Sequence, residues 1–259
     1  MDLGISGRKA LVCGASAGLG LACAQALARE GVELVIVART EGPLKDAAQS
    51  LAGLGSAPVA WVAADVTSAE GRARIFAAHR DFDIVVTNAG GPPPGDFRNW
   101  ERDTWLAALD ANMLAPIALI RETVDGMMAR GFGRIINITS SAVKSPVDGL
   151  GLSTGARCGL TGFVAGLARS TVAKGVTINN LLPGTFDTQR LAGNMAAQAK
   201  RDGTDVESVR AQRIAKHPAR RLGQPAEFGA ACAFLCSAFA GYINGQNLLL
   251  DGGSFPGTF

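Results

Sequence analysis

The sequence predicts an α/β fold, built as one doubly wound and mostly parallel sheet of seven strands with helices on both faces. Two observations lead to this prediction. Short apolar segments alternate with longer segments of helical periodicity along the chain. No linker and no internal repeat of about 20–50 residues interrupts this alternation. We therefore expect residues 1–259 to form a single domain.

Seven segments have the length and composition of buried strands, because each is short, apolar and bounded by turn-forming residues. They lie at residues 9–14, 33–38, 59–63, 82–87, 135–139, 176–182 and 247–250. Helical patterns occupy most of the chain between them, at residues 21–31, 68–79, 101–130, 153–174, 189–217 and 226–240. The polar, Ala-rich segment 188–218 is predicted to be a helical lid over the substrate.

The composition is that of an ordinary globular protein. Hydrophobic residues make up 47% of the chain and charged residues 18%, with a net charge of +3 and no Lys/Arg run, so we expect no nucleic-acid or membrane partner. The first residues do not resemble a signal peptide. The five cysteines are scattered through apolar segments without neighbouring His residues, which favours buried thiols in the cytoplasm and no metal site.

A glycine-rich turn follows the first predicted strand and precedes the first helix. Its glycines have the spacing G-x-x-x-G-x-G, and this strand–turn–helix context is the one in which a dinucleotide pyrophosphate binds. The cofactor-binding residues predicted in the turn are Gly14, Ser16, Gly18, Leu19 and Gly20.

The end of the second predicted strand indicates which dinucleotide binds. An acidic residue there would accept hydrogen bonds from the adenosine ribose and repel a 2′-phosphate, whereas an arginine does the reverse. Positions 38 and 39 are Ala38 and Arg39, so NADP(H) is favoured over NAD(H). The alternative is that Arg39 is an ordinary solvated surface residue.

Hydroxyl and cationic side chains cluster around the fifth predicted strand. Ser140 follows this strand, and Ser153 and Arg157 share one face of the next helix, since they are four residues apart. Ligands of open α/β sheets bind at the carboxyl ends of the strands, so these three side chains are predicted to meet at one site. A serine-rich turn followed by a helix cap is the alternative interpretation.

An asparagine in the segment 101–130 is predicted to have a carbonyl group that is free for water or a ligand. Pro116 lies four residues after Asn112 and has no N–H, so the carbonyl of Asn112 loses its helical partner. A proline within a helix costs about 3 kcal/mol, which suggests a functional or tertiary reason for it.

Taken together, these motifs resemble the short-chain dehydrogenase/reductase family along almost the whole chain. The matching residues are Gly14, Gly18, Gly20, Asp65, Asn88-Ala89-Gly90, Asn112, Ser140, Pro183-Gly184 and the segment 243–253. The resemblance implies a Rossmann fold and an oxidoreductase. It also implies that the cofactor is bound by further residues, namely Asp65, Val66, Asn88, Ala89, Gly90, Arg157, Pro183, Gly184 and Thr188.

The chain departs from the family at two catalytic positions. The family uses an Asn, a Ser, a Tyr thirteen residues after the Ser, and a Lys four residues after the Tyr. Here these last two positions hold Ser153 and Arg157, and the only Tyr in the chain is Tyr242. The likeness is therefore closest to a divergent branch, often named 3-oxoacyl-acyl-carrier-protein reductase-like, in which the Tyr is missing.

Loss of the Tyr removes the usual proton donor for carbonyl reduction. A Ser hydroxyl is a much weaker acid than a phenol, and an Arg remains protonated. Lys144, four residues after Ser140, is the predicted replacement, and a solvent-facing loop lysine is the alternative. The predicted catalytic set is Asn112, Ser140, Lys144, Ser153 and Arg157.

Three functions are compatible with these residues. The first is an NADP(H)-binding oxidoreductase that acts on a small or medium carbonyl compound or alcohol. The second is a dinucleotide-binding sensor or partner subunit with little or no redox turnover, and the third is a cofactor-assisted lyase or isomerase. In this family the helices that correspond to residues 101–130 and 153–174 commonly pack across a two-fold axis, so a homodimer or homotetramer is expected.

Overall fold

A computed structural model describes residues 2–258 and contains a seven-stranded sheet whose paired strands are all parallel. The strands are β1 (Lys9–Cys13), β2 (Glu33–Ala38), β3 (Val59–Ala63), β4 (Ile84–Thr87), β5 (Gly133–Ile138), β6 (Val176–Pro183) and β7 (Asn247–Leu250). Their order in the sheet is β3-β2-β1-β4-β5-β6-β7. The order reverses between β1 and β4, and ligands of such sheets bind at this switch point. The predicted doubly wound fold is confirmed.

Helices cover both faces of the sheet. They are α1 (Gly18–Arg29), α2 (Glu41–Ala52), α3 (Ala69–Ala78), α4 (Arg102–Leu109), α5 (Ala115–Arg130), α6 (Gly151–Thr171), α7 (Gln189–Asp202), α8 (Val206–Lys216) and α9 (Pro225–Cys236). Successive side chains of a strand point to opposite faces, so each strand contributes to two hydrophobic cores. Leu34 and Ile36 of β2 pack in the core with α1, α2 and α9, while Val35 and Val37 pack in the core with α5 and α6.

Two predicted helical segments are interrupted. Residues 101–130 form α4, a π-helical turn at Asp110–Leu114, and α5. The lid segment forms α7 and α8 rather than one helix. Gly203 ends α7 in the left-handed conformation (φ 64°), and Asp205 caps α8 by accepting a hydrogen bond from the Ser208 N–H at 2.8 Å. Local residues therefore account for both interruptions.

Four of the five cysteines have the predicted burial, and Cys158 does not. Cys13, Cys23, Cys232 and Cys236 are buried. Cys158 is exposed because it lies on the face of α6 that points away from the sheet, whereas its neighbour Arg157 is buried. Within residues 2–258 no helix is long and apolar enough to span a bilayer, and no group of three or more His, Cys, Asp or Glu side chains could hold a metal ion.

The close approach of α1 to β1 requires glycine at position 20. A Cβ on Gly20 would collide with the main-chain carbonyl of Gly14 and would lie 2.8 Å from Nδ2 of Asn88. We expect Gly20→Ala to lower the free energy of unfolding by about 1–3 kcal/mol, because backbone atoms must move to admit the methyl group. Urea unfolding measures this loss.

Gly42→Ala is the matched control. Gly42 lies on the exposed side of α2, and an added Cβ there has no atom within 4 Å. Alanine favours a helix over glycine, so the control should unfold at the same or a slightly higher urea concentration. Equal stability of the Gly20→Ala variant and the parent would contradict the packing argument.

Candidate active site

The carboxyl ends of β1, β2, β3 and β4 surround a cavity of about 230 Å³. Eight of the predicted cofactor-binding residues line it, namely Gly14, Ser16, Arg39, Asp65, Val66, Asn88, Ala89 and Gly90. Thr67 and Ala111 also line this cavity and were not predicted. The cavity is therefore the candidate dinucleotide site.

The glycine turn leaves backbone N–H groups of α1 available for a ligand. Gly14 and Gly18 both have φ +60°, which favours glycine. The residue before α1 is Ala17, whose side chain cannot cap the helix, so the N–H groups of the first turn have no side-chain partner within residues 2–258. Uncapped N–H groups at a helix start fit a pyrophosphate.

Arg39 and Asp65 line the cavity at the ends of β2 and β3. The Asp65 carboxylate accepts hydrogen bonds from the Thr67 N–H (2.9 Å) and hydroxyl (2.8 Å). These bonds and the nearby charge of Arg39 lower the pKa of Asp65, although burial opposes the shift. Arg39 is exposed and forms no ion pair with any described residue. The rim of the cavity therefore carries a positive charge that has no acidic partner among the described residues, which fits a 2′-phosphate.

The start of α6 is held by two tryptophans from the segment before and within α4. Trp100 and Trp105 pack edge to face with ring centroids 6.0 Å apart. A Cβ on Gly151 would lie 2.8 Å from the Trp100 ring, and one on Gly155 would lie 3.3 Å from the Trp105 ring. These contacts fix the first turns of α6, which carry Ser153.

Arg157 joins α6 to the end of β5. Its Nη1 donates hydrogen bonds to the carbonyl oxygens of Ile138 (2.9 Å) and Thr139 (2.6 Å), and its Nε donates to Oγ of Ser153 (3.0 Å). The side chain is 8% exposed. Burial and, to a lesser extent, the charge of Arg190 lower the pKa of its guanidinium to about 10. Arg157 therefore connects Ser153 to the end of β5, one residue before Ser140.

Ser140 and Lys144 flank a short 3-10 turn, Ser141–Val143. Oγ of Ser140 accepts a hydrogen bond from the Ala142 N–H at 3.1 Å, so its own proton is free to be donated. Nζ of Lys144 lies 5.8 Å from the centroid of the Phe255 ring. No hydrogen bond or ion pair joins Lys144 to Arg157 among the described residues. The cation whose charge acts on Arg157 is Arg190.

The π-helical turn carries Asn112. Because Pro116 has no N–H, the regular bond to Asn112 is missing, and the Ala115 N–H donates to the carbonyl of Asp110 instead. Asn112 is 4% exposed, and its amide donates to the carbonyls of Ala108 (3.2 Å) and Gly90 (3.5 Å). This side chain therefore connects the π-helical turn to the loop after β4.

The first residues of the predicted lid lie beside the glycine turn. Thr188 caps α7 by accepting a hydrogen bond from the Leu191 N–H at 3.3 Å, and its Cγ2 is 3.9 Å from the position of a Cβ on Gly18. Pro183 ends β6, and Gly184 packs against Asp251, whose Cα would lie 2.7 Å from an added Cβ. Thr188 thus reaches the predicted cofactor site, while Gly184 holds β6 close to β7.

Two residues at the mouth of the site were missed by the sequence analysis. Arg190 of α7 donates from Nη2 to the carbonyl of Gly91 at 3.3 Å. Nη2 of Arg190 and Nη2 of Arg157 lie 3.2 Å and 3.5 Å from the position of a Cβ on Gly91. The contact joins residues 99 positions apart, and no local pattern indicates it.

Comparisons with known proteins show which family has this arrangement. Residues 14–254 match the family model described as Enoyl-(Acyl carrier protein) reductase. The chain is 33% identical to acetoacetyl-CoA reductase of Allochromatium vinosum, over 96% of this chain and 98% of that protein. It is 31% identical to 3-oxoacyl-(acyl-carrier-protein) reductase FabG of Vibrio cholerae, over 98% and 99%.

Solved structures agree with these sequence matches. The L-sorbose reductase of Gluconobacter frateurii, complexed with NADPH and L-sorbose, superposes with a TM-score of 0.95 and 31% identity, covering 99% of this chain and 100% of that one. Together with the glycine turn, the switch-point cavity and the residues at the end of β5, this places the chain in the short-chain dehydrogenase/reductase family.

Proposed function

We propose that this short-chain dehydrogenase/reductase uses NADP(H) to interconvert a small or medium carbonyl compound and its alcohol, with Ser153 and Arg157 in place of the usual Tyr and Lys. One observation carries the proposal. The cofactor cavity lies at the carboxyl ends of β1 to β4, and Arg157 binds Ser153 and the end of β5, the strand that pairs with β4 and precedes Ser140. A cofactor and a carbonyl group held there would be next to one another.

NADP(H) is the cofactor that fits the cavity. Arg39 supplies a cation where the 2′-phosphate would lie, and the start of α1 supplies uncapped N–H groups for the pyrophosphate. The L-sorbose reductase, which shares the fold, is described in complex with NADPH. When bound, NADPH supplies the hydride for the carbonyl carbon.

Ser153 and Ser140 are the proposed donors to the carbonyl oxygen. Arg157 donates to Ser153 Oγ, and the Ala142 N–H donates to Ser140 Oγ, so each hydroxyl has its own proton left for an outside acceptor. The fixed charge of Arg157 polarises the Ser153 hydroxyl and stabilises the oxyanion that forms. Lys144 remains the proposed source of the final proton, and α7 and α8 the proposed lid.

A second function is favoured by the bonds that Arg157 makes within the protein. Its Nε and Nη1 are used by Ser153, Ile138 and Thr139, which is also what a structural arginine would do. A protein that binds the dinucleotide as a sensor or partner subunit, with little turnover, would need no more than this. In the first function, removal of Lys144 slows a reaction. In the second, there is little or no reaction for Lys144 to affect.

The cofactor proposal predicts the order of two dissociation constants. NADPH should bind more tightly than NADH, because Arg39 pairs with the 2′-phosphate, and Arg39→Asp should reverse this order. Isothermal titration calorimetry measures both constants. Arg74→Asp, on the exposed side of α3 and outside the cavity, is the control and should keep the NADPH preference. Equal constants in the parent protein would refute the proposal.

The proton-donor proposal predicts a selective loss of turnover. Lys144→Ala should reduce NADPH-dependent reduction of 2,3-butanedione by a factor of about 10²–10⁴, the typical effect of losing a general acid. NADPH affinity should stay unchanged, and Lys174→Ala, an exposed lysine after α6, should behave like the parent. Unchanged turnover after removal of Lys144 would assign the proton to another group. Undetectable turnover in the parent would favour the dinucleotide-binding function.

Exposed apolar side chains on α4, the π-helical turn and α6 favour an oligomer. Trp105, Leu114 and Phe163 are each 37–48% exposed. We expect light scattering to give the mass of a dimer or tetramer, and Phe163→Asp to reduce it by placing a charge in the interface. Val206→Asp, at an exposed apolar position on the lid, should leave the mass unchanged. A monomeric parent at micromolar concentration would contradict this proposal.

A further inference from the structure

Two guanidinium groups converge on Gly91 at the mouth of the proposed carbonyl site. Arg157 comes from α6 beneath the site, and Arg190 comes from the first turn of the lid helix α7. Their Nη2 atoms lie 3.5 Å and 3.2 Å from the position that a Cβ on Gly91 would take. Gly91 has no side chain, so no Cβ occupies the position next to both Nη2 atoms.

Neither arginine has an acidic partner within residues 2–258. No salt bridge includes Arg157 or Arg190, although ten ion pairs occur elsewhere. The acid closest to Arg190 in the sequence is Asp187, and its carboxylate is bound by both Nη atoms of Arg210 at 3.2 Å and 2.7 Å. The charge of the two arginines is therefore not neutralised by the described part of the chain.

Arg157 is the more unusual of the two because it is buried. Its side chain is 8% exposed, and three of its hydrogen bonds go to neutral oxygens. Those bonds use Nε and Nη1, and Nη2 has no hydrogen-bond partner among the described residues. A buried cation without a counter-ion is costly, and the burial and the charge of Arg190 both lower the pKa of Arg157.

We propose that Arg157 and Arg190 bind an oxyanion group, a carboxylate or a phosphate, on the substrate of the reductase proposed above. The remaining Nη2 of Arg157 and the guanidinium of Arg190 supply N–H donors, and guanidinium groups match the geometry of both anions. An anion there would offset the two positive charges at once. The proposal rests on the proposed function only for the identity of the ligand as substrate.

The position of Arg190 on α7 would also allow an anionic substrate to connect the proposed lid to α6. Arg190 is already held near the site, since its Nη2 donates to the Gly91 carbonyl at 3.3 Å. α7, α8 and the segment after them form one packed unit around a small core of Leu191, Met195, Val209 and Leu222. An anion bound by both arginines would connect this unit to α6.

Calorimetry on the protein loaded with NADP+, which has no hydride to transfer to a ketone, tests the proposal with three matched probes. These are acetoacetate, its neutral methyl ester, and 2-oxopropylphosphonate, which carries the phosphate-like group. We expect at least one of the two anions to bind about tenfold or more tightly than the ester, the usual size of a charged hydrogen bond. The tighter of the two anions shows whether the natural group is a carboxylate or a phosphate.

Arg190→Gln should remove the preference for the anions, while Arg190→Lys should keep part of it because the charge remains. Arg190 is exposed, so these variants do not disturb the core. Arg201→Gln, an exposed arginine at the other end of α7, is the matched control and should bind the anions like the parent. A full preference for the anions in the Arg190→Gln variant would overturn the proposal.

Two further outcomes separate this proposal from the proposed function. If the anions and the ester bind equally well, and the protein uses NADPH to reduce the carbonyl group of all three, the anion-site proposal is overturned and the proposed reductase function stands. If anion binding depends on Arg190 but the protein reduces none of the probes, the anion-site proposal is supported and the proposed reductase function is overturned. A loss of NADPH affinity in Arg190→Gln that matches the loss of anion affinity would overturn the proposal, because the arginine would then bind the cofactor.

Discussion

The interaction on which the site depends most is the hydrogen bonding of Arg157 to the end of β5. Its guanidinium donates to the carbonyls of Ile138 and Thr139 and to the Ser153 hydroxyl, so one side chain fixes the strand end, the start of α6 and a candidate substrate donor. A planar guanidinium can reach several acceptors in fixed directions, whereas a lysine ammonium is a single point on a flexible stem. Removing Arg157 would therefore remove these hydrogen bonds between α6 and the end of β5, although Leu160 and Val164 of α6 still pack in one core with Ile135.

The fold was largely predictable because buried parallel strands appear as continuous apolar segments. The bounds of β2, β3 and β7 agree with the sequence prediction to the residue. The interruptions were not predicted, although Pro116 and Gly203 mark them. A missing N–H produces the π-helical turn, and a left-handed glycine separates α7 from α8. Periodicity alone does not reveal such breaks, since both sides continue the same helical pattern.

The candidate site was predictable only in part. Spacing places Ser153 and Arg157 on one helix face, and the strand–turn–helix context identifies the glycine turn. The hydrogen-bond partners of Arg157 and the approach of Arg190 to Gly91 depend on how the elements pack, so no local pattern contains them. The same holds for Asn112, whose amide binds the Gly90 carbonyl across the cleft.

The bonds of Arg157 also limit the chemistry open to it. A pKa of about 10 is close to that of a phenol, which would suit a proton donor. Deprotonation, however, would weaken charged hydrogen bonds to three acceptors, each worth about 1.5–3 kcal/mol. These bonds favour the cation whatever the effect of burial, so Arg157 acts as a fixed charge. In the proposed reaction it would orient and stabilise a carbonyl oxygen through Ser153, and the proton would come from a different group.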